Sequence, residues 1–434
     1  MAVYTPHTEA DVKKMLETIG VSDIDGLFAD VPRKIKAKKL AIGEGLTQFE
    51  AYDKLKALAD KNVRFDTVFR GAGAYDHYIP PVVTALASRE EFVTAYTPYQ
   101  AEISQGILQS IFEYQTLMCR LTGMDVSNAS LYDVTSAAGE AVTMCCDKKK
   151  KVMVLGEINP QILETMGSYA HASGVEIVKV GSVGGLCDLE KAREMLDDSY
   201  AAVFAQCPNY LGLIEDMDAV AEAAHAVKAK MVYIFSPFAA ALLKTPYDCG
   251  ADVAIGEGQS LGMPLSFGGP YLGIMTCRKE MVRRLPGRIV GETTDHDGKR
   301  AFVLTMQARE QHIRREKATS SVCSNEALCA LTATIYLTAM GSTFAEAAEQ
   351  CTTKAHYLMN GLVKTGKFER VYKGEFFDEF VVRTELDVNK FNKLLAKEGI
   401  LGGLKLNKNE MLWCVTEKAS KEALDKVISI AEGM

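Results

Sequence analysis

The 434 residues carry 49 Lys and Arg against 56 Asp and Glu, a net charge of -7, with 48% hydrophobic and 24% charged residues. This is the balance of an ordinary globular protein, and its length suits two domains. The acidic excess argues against a nucleic-acid-binding surface, and the basic run 148–151 reads as a solvated loop.

Residues 1–12 show no basic segment followed by an apolar one, so no secretory signal is expected. In chain order, Thr8 precedes a helical pattern over 9–19 that Gly20 ends, and a second helix is predicted over 48–59. Gly71, Ala72 and Gly73, then Pro80 and Pro81, mark loop chemistry. Ile103, Ile107, Ile111, Met118 and Leu121 fall on one face of a helix predicted over 101–121, with Gly123 as its terminal cap. A further helix is expected over 136–146.

From residue 151 short apolar runs alternate with helical patterns. Strands are expected at 152–155, 175–180, 202–204, 232–235, 253–255 and 272–275, with helices from 160, over 189–196 and over 217–227. Such alternation predicts a largely parallel sheet covered on both faces. The most apolar stretch, 231–243, is broken by Ser236 and Pro237 and falls short of the ~18 residues a membrane span needs. It reads as a buried strand and a turn, and no membrane association is expected. After 325 the pattern changes to long helices over 326–340 and 344–363, then strands near 369–372, 379–382 and 411–415, with helices over 388–397 and from 418. This is a smaller α+β arrangement.

The 11 cysteines include no C-x-x-C pair, and Cys145 and Cys146 are simply adjacent. They are expected to be small core residues in a reducing, cytoplasmic setting, and the scattered histidines offer no metal site.

Spacing alone identifies no catalytic motif. Four segments, however, are similar to one family: YTPYQAEISQG at 96–106, NASLYD at 128–133, GEGQSLG at 256–262 and REQHIRREKATS at 309–320. Together they resemble the N-terminal half of glycine cleavage system P-proteins, or subunit 1 where that enzyme is split into two chains, over nearly the whole length. The resemblance implies the pyridoxal 5'-phosphate (PLP)-dependent transferase fold of aspartate aminotransferase (fold type I). That fold has a large, mixed but mostly parallel α/β sheet domain (66–325), a small C-terminal α+β domain (326–434) and active sites at a subunit interface. Residues 1–65 would form an N-terminal helical arm.

Catalytic members of the family carry a carboxylate at a strand end, to hold the pyridine nitrogen protonated, and a lysine that binds the cofactor covalently. By the resemblance, Ser236 stands at the carboxylate position and Gln259 at the lysine position, before the turn at Gly268, Gly269 and Pro270. The resemblance therefore implies that this chain lacks its own covalent PLP. The alternatives are a misread loop with Lys244 serving instead, which would make the chain an autonomous PLP enzyme, or a non-catalytic scaffold or regulatory subunit.

The cofactor would be carried by the partner, glycine decarboxylase subunit 2, in a heterotetramer. The assembly would decarboxylate glycine and pass the aminomethyl group to the lipoyl arm of the H-protein. Tyr96, Thr97, Tyr99, Gln100 and Glu102 are candidates for lining the partner's substrate site, or else for packing their loop on this chain's own helix. Thr319 and Ser320 are candidates for contacting the partner's PLP phosphate, or for capping the next helix. The run 309–317 reads as an exposed helix face or an interface. A loop with Gly71, Gly73, Tyr75 and His77 is a further candidate, its glycines permitting unusual backbone angles.

Overall fold

The computed structural model describes residues 6–37, 42–320, 322 and 325–434. The chain divides after Val63 into two compact units.

In the N-terminal unit, helices Glu9–Ile19 and Gln48–Ala59 both begin with reciprocal capping boxes. Thr8 pairs with Asp11 and Thr47 with Glu50, each side chain satisfying the other's backbone N–H. Gly20 closes the first helix at φ 86. None of the described residues of this unit is buried.

The second unit is built on a seven-stranded sheet. Its strands are β1 (Val126–Ser127), β2 (Lys151–Leu155), β3 (Glu176–Val180), β4 (Tyr200–Cys207), β5 (Lys230–Phe235), β6 (Val253–Glu257) and β7 (Gly273–Cys277). Their spatial order is β1-β7-β6-β5-β4-β2-β3. Strands β2 to β6 run parallel, and β7 is antiparallel to both β6 and β1. Side chains alternate between two apolar layers. Met153, Val203, Met231 and Tyr233 enter one with Tyr114 and Ala330, whereas Val152, Phe204, Val232 and Ile234 enter the other with Ala137 and Ile162. Helices thus bury both faces, which is why the strands read as continuous apolar runs.

A hairpin of β8 (Ile289–Thr294) and β9 (Arg300–Thr305) follows. Its edge is tied to helix Gln105–Thr122 by Gln115, whose Oε1 accepts from Val290 N at 2.9 Å. The C-terminal layer is an antiparallel sheet of β10 (Phe368–Arg370), β11 (Glu379–Thr384), β12 (Leu404–Lys405) and β13 (Glu410–Cys414), ordered β10-β11-β13-β12. Helices Thr343–Lys364, Val388–Lys397 and Lys421–Glu432 contribute to a core that includes Trp413, Phe391 and Phe368.

Several expectations shift in detail. The helix predicted over 101–121 is Gln105–Thr122, so Glu102 precedes it and Ile103 is exposed. The buried face is set by Leu108, Ile111, Tyr114 and Met118. The charged run 309–317 is not one helix face but two short 3-10 turns around Gln311–Arg314, and Glu310 within it is buried. The hairpin β8–β9 and helix Pro81–Ala87 lack a clear periodic signal and were not expected. Among the described residues no single helix is long and apolar enough to cross a membrane. The ten described cysteines are free, and burial pushes Cys119 and Cys207 up to about 11, which makes poor nucleophiles of them.

Candidate active-site cleft

The parallel strands end in register: Cys207 lies beside Phe235, and Phe235 beside Gly256. The residues that follow, Pro208, Ser236 and Glu257, therefore collect along one edge of the sheet, the place where open α/β sheets bind ligands. They line a cleft with Asn159 on one side and Asp378 and Glu379 of β11 and its approach on the other. The loop bearing Gly73, Tyr75 and His77 covers it.

That loop is clamped down. Glu379 Oε1 accepts from Ala72 N at 2.7 Å, and its Oε2 accepts from the Tyr75 hydroxyl at 2.8 Å. Asn159 Nδ2 donates to Ala72 O at 3.0 Å. His77 stacks on Phe238 with ring centroids 3.6 Å apart and meets Glu417 Oε2 through Nδ1 at 2.7 Å. Cys351 Sγ reaches the same oxygen at 3.3 Å, so the His77, Cys351 and Glu417 cluster satisfies itself by hydrogen bonding. The cavity left beneath is about 60 Å³. That holds a few water molecules, well short of the ~300 Å³ at the small end of ligand pockets.

Gln259 lies directly behind this lining and is almost fully buried. Its Oε1 accepts from Tyr75 N at 2.9 Å, and Nε2 donates to Tyr75 O at 3.0 Å and Met263 O at 2.7 Å. Both N–H donors of the amide, and its oxygen, thus have partners. Ser236 ends β5, where its hydroxyl caps the following turn by accepting from Ala239 N at 3.4 Å. Lys244 does not face the cleft. Its ammonium pairs with Asp218 at 2.5 Å on the outside of the molecule.

The electrostatics of the cleft are acidic. Three carboxyl groups line it, buried Asp378 and Glu379 and half-buried Glu257, and no lysine or arginine does among the described residues. Burial pushes Glu257 up to about 7, against three backbone N–H groups that hold its charge. These are Gln259 N at 3.0 Å, Leu272 N at 3.1 Å and Val134 N at 3.0 Å. Val134 opens helix Val134–Cys145, so the carboxylate sits at a helix N-terminus, a position that suits an anion. Burial also raises Glu379 to about 7, and Asp378 rises through burial and the neighbouring Glu379.

The other candidates lie away from this cleft. Tyr96 is 85% exposed and Tyr99 54% exposed, with Thr97 half-buried and Gln100 and Glu102 exposed on the same loop. Thr319 is exposed, whereas Ser320 is half-buried and accepts from Val322 N at 3.0 Å. Arg288 escaped the sequence reading. It is 3% exposed, and its Nη2 donates to the Tyr99 hydroxyl at 2.9 Å while Nη1 donates to Asn325 Oδ1 at 3.2 Å. An arginine beside Gly287 at a strand start carries no local signal of burial.

The strand order, the cleft at the strand ends and the C-terminal layer over it define the fold of PLP-dependent fold type I enzymes. A Thermus thermophilus aspartate aminotransferase shares that fold with a TM-score of 0.62 at 14% identity, over 85% of this chain and 98% of that one. The family model for the glycine cleavage system P-protein matches residues 2–431, and the chain belongs to that family. It is 46% identical to the probable glycine dehydrogenase (decarboxylating) subunit 1 of Desulforamulus reducens over 97% of both chains. It is also 46% identical to the protein of the same name from Carboxydothermus hydrogenoformans over 99% of both. A crystal structure of a glycine decarboxylase (P-protein) in inhibitor-bound form superposes with a TM-score of 0.92 at 37% identity, covering 100% of each chain.

Proposed function

We propose that this chain is the half of a two-chain glycine decarboxylase that does not carry PLP, and that it completes the active site of a lysine-bearing partner, subunit 2. The observation that carries this reading is Gln259. An amide cannot form the covalent link to PLP, and here both its N–H donors and its oxygen are engaged in holding Tyr75 and Met263. The cleft in front of it does not fit the cofactor, being small, lined by buried acids and free of lysine and arginine among the described residues. Ser236 stands at the end of β5 without the charge that would stabilise a pyridinium, and Lys244 is committed to Asp218.

In the assembled enzyme PLP serves as the electron sink for decarboxylation of glycine. This chain contributes surface. Tyr96, Thr97, Tyr99, Gln100 and Glu102 line the entrance used by glycine and the lipoyl arm of the H-protein, combining aromatic walls with amide and carboxylate groups. Thr319 and Ser320 offer hydroxyls towards the partner's cofactor phosphate. Two chains of each kind form the heterotetramer, in the cytoplasm. The helical arm of 1–65, the large domain of 66–325 and the small domain of 326–434 are the working division of this chain.

The test is to add PLP to the purified chain and reduce with borohydride, then to repeat glycine–bicarbonate exchange with and without subunit 2. We expect no pyridoxyl-lysine adduct and no exchange from the chain alone, and exchange on mixing. A stoichiometric adduct on the isolated chain would overturn the proposal.

A further inference from the structure

We infer that Arg288 is an oxyanion-binding residue whose ligand is the phosphate group of the PLP held by the partner subunit. The inference rests on the two-chain reading above and deepens it.

Arg288 is 3% exposed, yet among the described residues no carboxylate lies within ion-pairing distance of 4.0 Å. Its only described side-chain partners are neutral oxygens, the Tyr99 hydroxyl at 2.9 Å and Asn325 Oδ1 at 3.2 Å. Two donors in this cluster, Arg288 Nε and Asn325 Nδ2, are buried without an acceptor among the described residues. A buried cation without a counter-charge is costly, as are buried donors left unpaired. One oxyanion satisfies both needs, and the planar guanidinium fork is suited to phosphate or carboxylate.

The surroundings are those of a held side chain beneath a half-exposed ring. The backbone at 285–288 is fixed from below. Asn128 Nδ2 donates to Pro286 O at 2.9 Å, Ala129 N to Arg288 O at 2.8 Å, and Arg309 to the carbonyls of Leu285 and Gly287. Against it lies Tyr99, whose ring centroid is 5.1 Å from the guanidinium and whose side chain is exposed. Arg288 thus lies beneath Tyr99, under the loop already proposed to face the partner.

On the two-chain reading the assembled enzyme offers two candidate oxyanions, the phosphate of the cofactor and the carboxylate of glycine. The chemistry favours the phosphate. The glycine carboxylate leaves as neutral carbon dioxide, so an ion pair to it weakens on the way to the transition state and slows the reaction. The phosphate keeps its charge throughout, and holding it costs nothing in rate.

The experiment uses the complex reconstituted with subunit 2 from the same organism. Assembly is checked by size-exclusion chromatography, and dissociation constants are measured for PLP and for pyridoxal, which lacks the phosphate. We expect R288A to raise the PLP dissociation constant at least tenfold and to leave that for pyridoxal within twofold of wild type. R288K, which keeps the charge without the fork and serves if R288A does not assemble, should give a smaller loss, again for PLP only. Unchanged PLP binding overturns the assignment, including the case in which only the KM for glycine rises. Equal losses for PLP and pyridoxal also overturn it, because they mark a purely structural role. Failure of the wild-type chains to assemble would instead sink the two-chain reading itself, and this assignment with it.

Discussion

Gln259 and Tyr75 are joined at two points, the amide oxygen of one accepting from the backbone N–H of the other at 2.9 Å and the amide nitrogen donating to its carbonyl at 3.0 Å. A side chain thereby imitates one rung of a β-ladder and seals a loop across the strand ends. Gln259 therefore has a structural part in this fold, bonding through both its amide oxygen and its amide nitrogen.

Q259L should be markedly destabilising. It strands Tyr75 N, Tyr75 O and Met263 O in a buried setting, at a cost of about 3 to 5 kcal/mol. The urea midpoint of the isolated chain measures it. Q259K should also destabilise and should give no PLP adduct on borohydride reduction, because Glu257 and the clamped loop still fill the space in front.

Stability should fall as pH rises through the neutral range. The Glu379 carboxyl lies near 4.5 in an unfolded chain and about 7 when folded, so between those values the folded state binds the extra proton. The contribution is full below about 4.5 and is lost as pH passes 7. E379Q, which keeps an acceptor for Ala72 N and a partner for the Tyr75 hydroxyl, should flatten this slope without abolishing it. Glu257 shifts in the same direction and remains. Urea midpoints at pH 5, 6, 7 and 8 decide the matter. A wild-type chain most stable at pH 8 would contradict it.

G71A should be poorly tolerated. A Cβ at that position would lie 2.5 Å from Glu379 Oε1 and 2.8 Å from both Cys414 Cβ and a Tyr75 ring carbon. None of these can retreat without opening the clamp, so a loss of about 2 to 3 kcal/mol is expected. Thermal denaturation of the isolated chain measures it.

Y96A should behave in the opposite way. The side chain is 85% exposed, so the isolated chain should change by less than about 0.5 kcal/mol. Exchange activity of the complex with subunit 2 should nonetheless drop at least fivefold. Unchanged activity in an intact complex would favour a scaffold that leaves the partner's site untouched.

The helices at 9–19 and 48–59 were legible to the residue because their ends are local. Thr8, Gly20 and Thr47 act on groups three or four positions away, and no tertiary contact is required. The parallel strands were legible because their apolar runs are long enough to exceed any solvated alternative. The hairpin β8–β9 was not, since its pairing depends on Gln115 and Gln105, far away in the chain. Arg288 stayed hidden for a related reason. Burial of a charge is decided by what folds over it, and Tyr99 lies 189 positions away.

By itself, then, and apart from the resemblance that singled out Ser236 and Gln259, the amino-acid sequence determined the alternation of strands and helices and the capped helix ends. Each of these follows from short-range periodicity or from the chemistry of one residue. Only the tertiary structure decided what those residues face. It closed Tyr75 onto Gln259, gathered Glu257, Asp378 and Glu379 around one cleft, and left Arg288 without a counter-charge among the described residues, because burial and pairing arise from segments far apart in the chain and brought together by the fold.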